Sequence, residues 1–283
     1  MPCLGAHVST AGGLATAFER GRRLRCESLQ IFVKSPSQWR GRPLGEEEVA
    51  AFAAERATGA PLPIVAHAAY LINLAAPDPE VLAKSRAALA DELARAAALG
   101  LVGVVVHPGA HLGAGIEAGI DAVARSLDAV LEALPTDGPR VLLELTAGQG
   151  SVLGHTLEQL RAMRDRTSAA ARLGYCLDTC HAFAAGYALD SGDGVDAFLA
   201  DADRVLGLEH VACWHLNDSV GGLGSRKDRH ASIGDGAIGR DGFRRLLAAP
   251  ALASAPMILE TPMGDDELGH ARDLATLREL AAG

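Results

Sequence analysis

Short apolar runs alternate with longer amphipathic segments along the chain. The apolar runs predict strands at 4–8, 28–33, 63–68, 102–106, 140–145, 173–177, 211–216 and 256–260. The amphipathic segments predict helices at 13–24, 46–58, 81–99, 120–134, 157–166, 195–206, 241–247 and 268–280. Each predicted strand is followed by one predicted helix, which is the pattern of repeated βα units.

Eight such pairs in a chain of 283 residues match a closed barrel of parallel strands surrounded by helices. We therefore predict an α/β fold, a (β/α)8 TIM barrel, that forms a single domain over residues 1–283. An open doubly wound sheet is the alternative, but no G-x-G-x-x-G motif follows the first strand to support it. In a barrel of this type, functional residues lie at the C-terminal ends of the strands.

Composition limits the class and location of the protein. Hydrophobic residues make up 49% of the chain and charged residues 22%, which is ordinary for a globular protein with ample core. The sequence has no run of eighteen apolar residues and no basic-then-apolar N-terminal segment, so we expect neither a membrane span nor a signal peptide. Five cysteines without a C-x-x-C pair predict reduced core residues in a cytoplasmic protein.

The net charge of −9 argues against wholesale electrostatic binding of nucleic acid. Basic residues still cluster locally, at 20–25, 40–42 and 226–229. The third cluster is the most informative, because it lies among candidate metal ligands. A cleft lined by carboxylates would also need bound cations before a phosphodiester could approach it.

Histidines and carboxylates stand at the ends of the third to eighth predicted strands, or in the loops after them. They are His67, His107, Glu144, Asp178, His181, His215, Asp228, His230 and Glu260. Any one of them alone is more simply interpreted as a hydrogen-bonded core residue, and Asp178 with His181 as a structural pair. All nine would converge on one mouth of the barrel, where repulsion among four carboxylates would raise several pKa values unless cations neutralise them.

Mixed imidazole and carboxylate ligands suit zinc, and manganese or iron less well. Because nine ligands are too many for one tetrahedral ion, we expect two or three ions with at least one bridging carboxylate. Glu144 lies in the middle of the series and is the best bridge, and His7 could lie beneath the site as a hydrogen-bond donor. A cysteine nucleophile, Cys180 beside His181, is a weaker alternative, since no Ser, Cys and His residues assemble into a convincing triad.

At these residues the sequence resembles the endonuclease IV family of apurinic/apyrimidinic endonucleases. The matching stretches are GAHVS (5–9), AGGL (11–14), YLINL (70–74), HPG (107–109), TAGQG (146–150), DTCHAFAAGY (178–187), HLND (215–218), GSR (224–226), DRH (228–230) and LETP (259–262). The resemblance implies a zinc-dependent DNA-repair enzyme that hydrolyses the phosphodiester 5′ to an abasic site in duplex DNA. The products would be a 3′-hydroxyl and a 5′-deoxyribose phosphate, and removal of 3′-blocking groups is a second activity that the resemblance allows.

The resemblance also implies a three-zinc site. The matching motifs assign the first ion to His67, His107 and Glu144. They assign the second ion to Glu144, Asp178, His215 and Glu260, with Glu144 bridging. They assign the third ion to His181, Asp228 and His230. Glu144 would orient and deprotonate the attacking water, and the third ion would stabilise charge on the leaving 3′ oxygen.

Damaged double-stranded DNA is the partner that this resemblance implies. Tyr70 and Leu71 are candidates to wedge into the duplex, and Gln38 could fill the gap left by the missing base. Arg226 and Arg229 would contact phosphates that flank the lesion. We expect a monomer, since one chain could contain the whole reaction.

Three departures from the family pattern leave every predicted ligand intact. Leu145 stands where family members usually carry Asn, and Ala68 and Ala69 stand where many carry Asp-Ser. Ser37 stands where a basic residue is common. The departures bear on metal affinity, rate and damage recognition.

Two other functions stay open from the residues. One is a divalent-metal sugar isomerase or epimerase on a similar barrel, although such sites usually need fewer histidines and no wedge residues. The other is a protein that keeps zinc and binds damaged DNA without cutting it. Incubation with free sugars tests the first, and a metal count with a nicking assay tests the second.

Overall fold

A computed structural model of the protein describes residues 2–59, 62–250, 252 and 255–283. The strands are β1 (Cys3–His7), β2 (Ser28–Ile31), β3 (Ile64–His67), β4 (Gly103–Val106), β5 (Arg140–Glu144), β6 (Leu173–Asp178), β7 (Val211–His215), β8 (Asp218–Ser219), β9 (His230–Ala231) and β10 (Pro256–Leu259). Eight of them close into a parallel barrel in the order β1-β10-β7-β6-β5-β4-β3-β2, and β8 pairs with β9 in a separate antiparallel ribbon. The predicted (β/α)8 barrel is confirmed, and each predicted strand is present.

Helices follow the barrel strands. They are α1 (Thr16–Leu24), α2 (Glu46–Ala57), α3 (Pro79–Ala98), α4 (Ile116–Glu132), α5 (Leu157–Asp165), α6 (Thr179–Ala185), α7 (Gly192–Leu206), α8 (Gly239–Leu247) and α9 (Gly269–Ala282). Helix α3 begins earlier than predicted, because the Asp78 side chain accepts hydrogen bonds from the backbone of Glu80 and Val81. None of the helices in the described part of the chain is long and apolar enough to cross a membrane.

Helix α6 is the one α-helix that the apolar pattern did not predict in the described residues. It starts directly after β6, where Asp178 Oδ1 accepts a hydrogen bond from His181 N at 2.8 Å. It ends at Gly186, whose φ of 118° lies in the left-handed region that favours glycine. Because nearly every side chain of this short helix is buried, its sequence has no alternation of polar and apolar faces.

The interior of the barrel contains a layer of small and medium apolar side chains. It consists of Val65, Val105, Leu142, Cys176, Cys213 and Ile258, one from each of six neighbouring strands. A larger apolar core lies between the strands and the helices. Successive side chains of a strand point to opposite faces. The residue two positions after each member of the interior layer therefore also faces the barrel axis, one layer nearer the C-terminal mouth.

The five cysteines are all free, but they do not share one environment. Cys176, Cys180 and Cys213 are buried, as predicted for core residues. Cys3 and Cys26 are partly exposed, so the prediction was wrong for these two. They lie at the start of β1 and just before β2, where the barrel meets solvent.

Gly5 lies where β1 runs against β2. A Cβ atom at this position would be 2.0 Å from the backbone oxygen of Ser28, its register partner. We predict that Gly5→Ala lowers the free energy of unfolding by roughly 1–3 kcal/mol, the usual cost of overpacking a core, as measured by urea unfolding. Gly222→Ala is the matched control, because no atom lies within 4 Å of that position, and its unfolding free energy should change by less than roughly 0.5 kcal/mol. Equal stability of Gly5→Ala and the wild type would contradict the prediction.

Candidate metal centre

The candidate site forms the layer directly above the apolar interior of the barrel. Six residues follow the members of that interior layer by two positions and therefore point to the same axis. They are His67, His107, Glu144, Asp178, His215 and Glu260. The structure thus brings six of the nine sequence-predicted residues together through strand periodicity alone.

Glu144 lies at the centre of the layer and is fully buried. Its Oε2 atom is 3.3 Å from His67 Nε2 and 3.0 Å from His107 Nε2. Its Oε1 atom is 3.0 Å from His215 Nδ1. The two oxygens of one carboxylate therefore face two different groups of ligands, which is the geometry that a bridging carboxylate requires.

Two groups of potential ligand atoms share Glu144, and the atoms of each group lie within 4.8 Å of one another. The first group is His67, His107 and Glu144. The second group is Glu144, Asp178, His215 and Glu260. Both groups have the membership that the resemblance implied for the first and second ions.

The third group lies at the edge of the layer and is built by α6, which carries His181, and by β9 and the residues just before it, which carry His230 and Asp228. His181 Nε2 and His230 Nε2 are 3.3 and 3.4 Å from Asp228 Oδ1. Asp178 also reaches this group, since its Oδ2 atom is 3.7 Å from His230 Nε2. Asp178 is therefore placed between the second and third groups, a position that the sequence did not indicate.

The histidine rings are held so that one nitrogen of each faces the carboxylates. Carbonyl oxygens can only accept hydrogen bonds, so a ring nitrogen paired with one must carry the proton. The Nδ1 atoms of three histidines pair with backbone oxygens: His67 with Ala68 at 2.8 Å, His181 with Leu145 at 2.9 Å and His230 with Glu260 at 3.1 Å. His215 Nε2 pairs with the side-chain oxygen of Gln30 at 2.8 Å. In the neutral rings the opposite nitrogen then has a free lone pair, as a metal ligand needs.

Two of these nitrogens, His181 Nε2 and His230 Nε2, are buried near Asp228 Oδ1, but in the described residues neither makes a hydrogen bond. Buried polar atoms without partners are rare, and an ion held at the site is one of the accepted reasons for them. Together with the carboxylate oxygens around them, they form a donor set suited to zinc. The residues present therefore fit a metal centre.

The pKa shifts of the site also favour bound cations. Burial acts to raise the pKa of Glu144, but His107 and His215 outweigh it and hold the pKa well below its usual range. Burial acts to lower the pKa of His181, but nearby carboxylates, Asp178 foremost, raise the pKa well above its ordinary value. Without metal, protonated histidines would have to neutralise the carboxylates, and bound cations would displace those protons.

Neighbouring histidines also lower the pKa of Asp228, a carboxylate at the rim of the site. Burial acts to raise the pKa of Asp228, but the neighbouring His181 and His230 lower it to about 2. Asp228 is therefore a carboxylate at neutral pH and can act as an anionic ligand.

Two buried amides support the carboxylates, and sequence reasoning did not select either of them. Gln30 Nε2 donates to Glu260 Oε1 at 2.6 Å. Asn217 Nδ2 donates to Asp178 Oδ2 at 2.6 Å, and its Oδ1 accepts from Glu260 N at 2.8 Å. The available signal was an amide inside or directly after an apolar run, where only a hydrogen-bonding role justifies its burial. His7, which was expected beneath the site, has its Nδ1 3.2 Å from Glu260 Oε1.

His230 owes its position to the ribbon of β8 and β9, in which it pairs with Ser219. Asp218, next to Ser219, is fully buried and binds the loop that follows the ribbon. Its carboxylate accepts hydrogen bonds from the backbone N–H groups of Ser219, Gly234, Gly236, Ile238 and Gly239. Asp218 is a positioning residue that sequence reasoning quoted only as part of a motif.

The five predicted DNA contacts all lie on the surface. Tyr70 and Leu71 have exposed fractions of 65% and 37%. The Tyr70 ring lies 5.4 Å from the His67 ring, so it lies at the edge of the layer of candidate ligands. Gln38, Arg226 and Arg229 are also exposed.

The departures from the family pattern differ in where the structure places them. Leu145 is fully buried, and its backbone oxygen accepts the hydrogen bond from His181. Ala68 and Ala69 are buried as well, and the Ala68 backbone oxygen accepts a hydrogen bond from His67 Nδ1. This hydrogen bond to the His67 ring does not depend on which side chains stand at positions 68 and 69. Ser37 is exposed in the loop after β2.

Comparisons with known proteins identify the family of the chain. Residues 18–280 match the family model described as xylose isomerase-like TIM barrel. The chain is 47% identical to a probable endonuclease 4 of Chloroflexus aggregans over 99% of this chain and 98% of that protein. It matches the crystal structure of endonuclease IV from Thermus thermophilus with a TM-score of 0.88 and 42% identity over 99% of each chain.

A D-tagatose 3-epimerase-like protein shares the barrel, with a TM-score of 0.74 and 19% identity over 98% of each chain. Identity at that level shows the fold alone. The higher identities cover the full length of the chain and belong to the endonuclease relatives. The chain therefore belongs to the endonuclease IV family of nucleases, within the xylose isomerase-like TIM barrels.

Proposed function

We propose that the protein hydrolyses the phosphodiester 5′ to an abasic site in duplex DNA and leaves a 3′-hydroxyl and a 5′-deoxyribose phosphate. The observation that carries this proposal is the position of Glu144, whose two carboxylate oxygens face two adjoining groups of ligand atoms. Adjacent cation sites of this kind suit in-line displacement at phosphorus, where charge develops on both the attacking and leaving oxygens. Family membership supports a nuclease reaction.

Three zinc ions would occupy the site, held by the three groups of residues described above. Bound zinc would supply positive charge at the phosphate and a water of low pKa. The chain's own contribution is to hold the carboxylates and imidazoles in place before substrate arrives. Buried supports such as Gln30 and Asn217 fix two of the carboxylates, and backbone oxygens fix three of the rings.

Glu144 would orient the attacking water and accept its proton. It is the residue best placed for this role, because it is fully buried beneath the mouth and belongs to both of the adjoining ligand groups. The third group would hold the ion that balances the negative charge developing on the leaving 3′ oxygen, because it lies at the rim and the ionised Asp228 can serve as its anionic ligand.

Recognition would depend on extrusion of the damaged nucleotide. A nucleotide without its base costs less to unstack than a paired one, and this difference favours the abasic site. Tyr70 and Leu71 would enter the duplex and Gln38 would occupy the vacated space, because all three are exposed near the mouth. Arg226 and Arg229 would bind the flanking phosphates. All of these residues come from one chain, so we infer that a monomer is active.

The experiment is an incision assay with purified protein and a duplex that carries one abasic site. We expect a single cut 5′ to the lesion and a product that a DNA polymerase extends, which shows the 3′-hydroxyl. An undamaged duplex is the control for lesion dependence, and free ketohexoses are the control for epimerase activity. Binding without cutting, or conversion of a sugar without cutting, would overturn the proposal.

A further inference from the structure

Lys34, in the loop from β2 to α2, forms a buried ion pair with Glu92 of helix α3. Lys34 Nζ lies 2.8 Å from Glu92 Oε1, and the exposed fractions of the two side chains are 2% and 1%. Burying such a pair is costly, and apolar residues of similar volume often give equal or greater stability. The pair therefore calls for an explanation other than stability. The hydrogen bonds that the pair makes to the backbone of two loops provide such an explanation.

The first loop runs from β2 to α2 and carries Gln38. Lys34 Nζ donates a hydrogen bond to the Gln38 backbone oxygen at 3.0 Å. Besides Glu92, which binds Lys34, the α3 side chain of Arg95 contacts this loop by donating to the backbone oxygen of Arg42 at 2.6 Å. The Lys34–Glu92 pair and the Arg95–Arg42 hydrogen bond thus hold this loop against α3 at two points, and the Lys34–Gln38 bond extends that support to Gln38.

The second loop runs from β3 to α3 and carries Tyr70 and Leu71. On one side of this exposed pair, Ala69 N donates to Glu92 Oε1 at 3.2 Å. On the other side, Asn73 N donates to Ser85 Oγ at 3.0 Å. Both acceptors are buried side chains of α3. The exposed pair therefore protrudes from a loop that α3 fixes at both ends.

We propose that Lys34, Ser85, Glu92 and Arg95 form a brace that sets the positions of Gln38 and of the Tyr70–Leu71 pair relative to each other, and thereby determines how strongly the enzyme discriminates abasic from intact DNA. This inference rests on the proposed function. A side chain inserted between bases is pushed back by the stacking of the duplex. A loop held at both ends resists that force and loses little freedom on binding. The members of the brace are positioning residues, since none of them lies on the exposed face that would meet DNA.

The test uses two variants. Lys34→Met removes the ammonium group that binds both Glu92 and the Gln38 oxygen. Lys34→Met/Glu92→Gln also removes the carboxylate that would otherwise be buried without its partner, and its amide oxygen can still accept from Ala69. The double variant keeps the test valid if the single variant folds poorly. Met163→Ala, in the core of α5 and remote from both loops, is the control for a general loss of stability.

For both brace variants we expect the KM for an abasic duplex to rise at least about tenfold, while kcat falls less than about threefold. Affinity for an undamaged duplex should change less than about twofold, and so should hydrolysis of bis(4-nitrophenyl) phosphate, which is too small to reach the loops. Met163→Ala should leave all four quantities within about twofold of the wild type.

The proposed role of the brace is overturned if the variants keep the wild-type KM, or if their affinities for abasic and undamaged duplexes fall by the same factor. Loss of the small-ester activity in step with incision would also overturn it, because that result means damage to the metal site. A wild-type enzyme that cuts no abasic DNA would overturn the proposed function and, with it, this inference.

Discussion

Glu144→Gln should lower kcat for incision of an abasic duplex by about 10³-fold or more, even with excess zinc in the buffer. The amide has nearly the same shape as the carboxylate, but it is neutral and can neither bridge two cations nor accept a proton from water. The loss should appear in kcat more than in KM, because Glu144 lies beneath the mouth and away from the exposed residues that would meet DNA. Single-turnover rates on a labelled duplex measure the effect.

Two further measurements make this prediction specific. Elemental analysis should show fewer metal ions per chain in Glu144→Gln, since the residue belongs to two ligand groups. Glu132→Gln, an exposed position at the end of α4, is the matched control and should retain wild-type rate and metal content. A fully active Glu144→Gln protein with its complete metal content would remove Glu144 from the mechanism.

Removal of the metal ions should abolish incision and lower the midpoint of thermal unfolding by about 10 °C or more. Ligands that bind only the folded state stabilise it, and structural zinc sites contribute several kcal/mol or more. In a protein of this size about 1 kcal/mol corresponds to a shift of roughly 2–4 °C. The physical reason is the crowding of carboxylates and imidazoles around the fully buried Glu144. Dialysis against a strong chelator, followed by calorimetry and elemental analysis, measures both effects.

Re-addition experiments provide the control. Zinc should restore both activity and melting temperature, because five imidazoles take part in the three ligand groups. Magnesium should restore neither, since it prefers oxygen ligands in octahedral geometry. A metal-free protein that keeps the melting temperature of the untreated protein would show that the charges of the site are balanced in another way.

The strands and six of the candidate ligands could be predicted from sequence because both follow a period of two. Leu142 and Glu144, for example, alternate with residues that pack against helices, so one periodic pattern places an apolar residue and a ligand on the same axis. The eight-fold repetition then fixes the barrel, and parallel strands bring their C-terminal ends to one mouth.

The elements that could not be predicted are those without a period. Helix α6 is short and buried on all sides, and β8 and β9 have two residues each, so neither produces a pattern. The third ligand group depends on these elements, since His181 lies on α6 and His230 on β9. The sequence placed its residues in the loops after the predicted strands, but only the resemblance grouped them around one ion, and the shared position of Asp178 appeared only in the folded structure.

The apolar layer beneath Glu144 has a consequence for the order of events. Val65, Leu142 and Ile258 are fully buried in one apolar cluster, which closes the barrel beneath Glu144 across six of its strands. Water would therefore enter from the open C-terminal mouth, where the duplex would bind. In the proposed reaction the attacking water would have to be in place before DNA covers that mouth, and its replacement would wait until product has left.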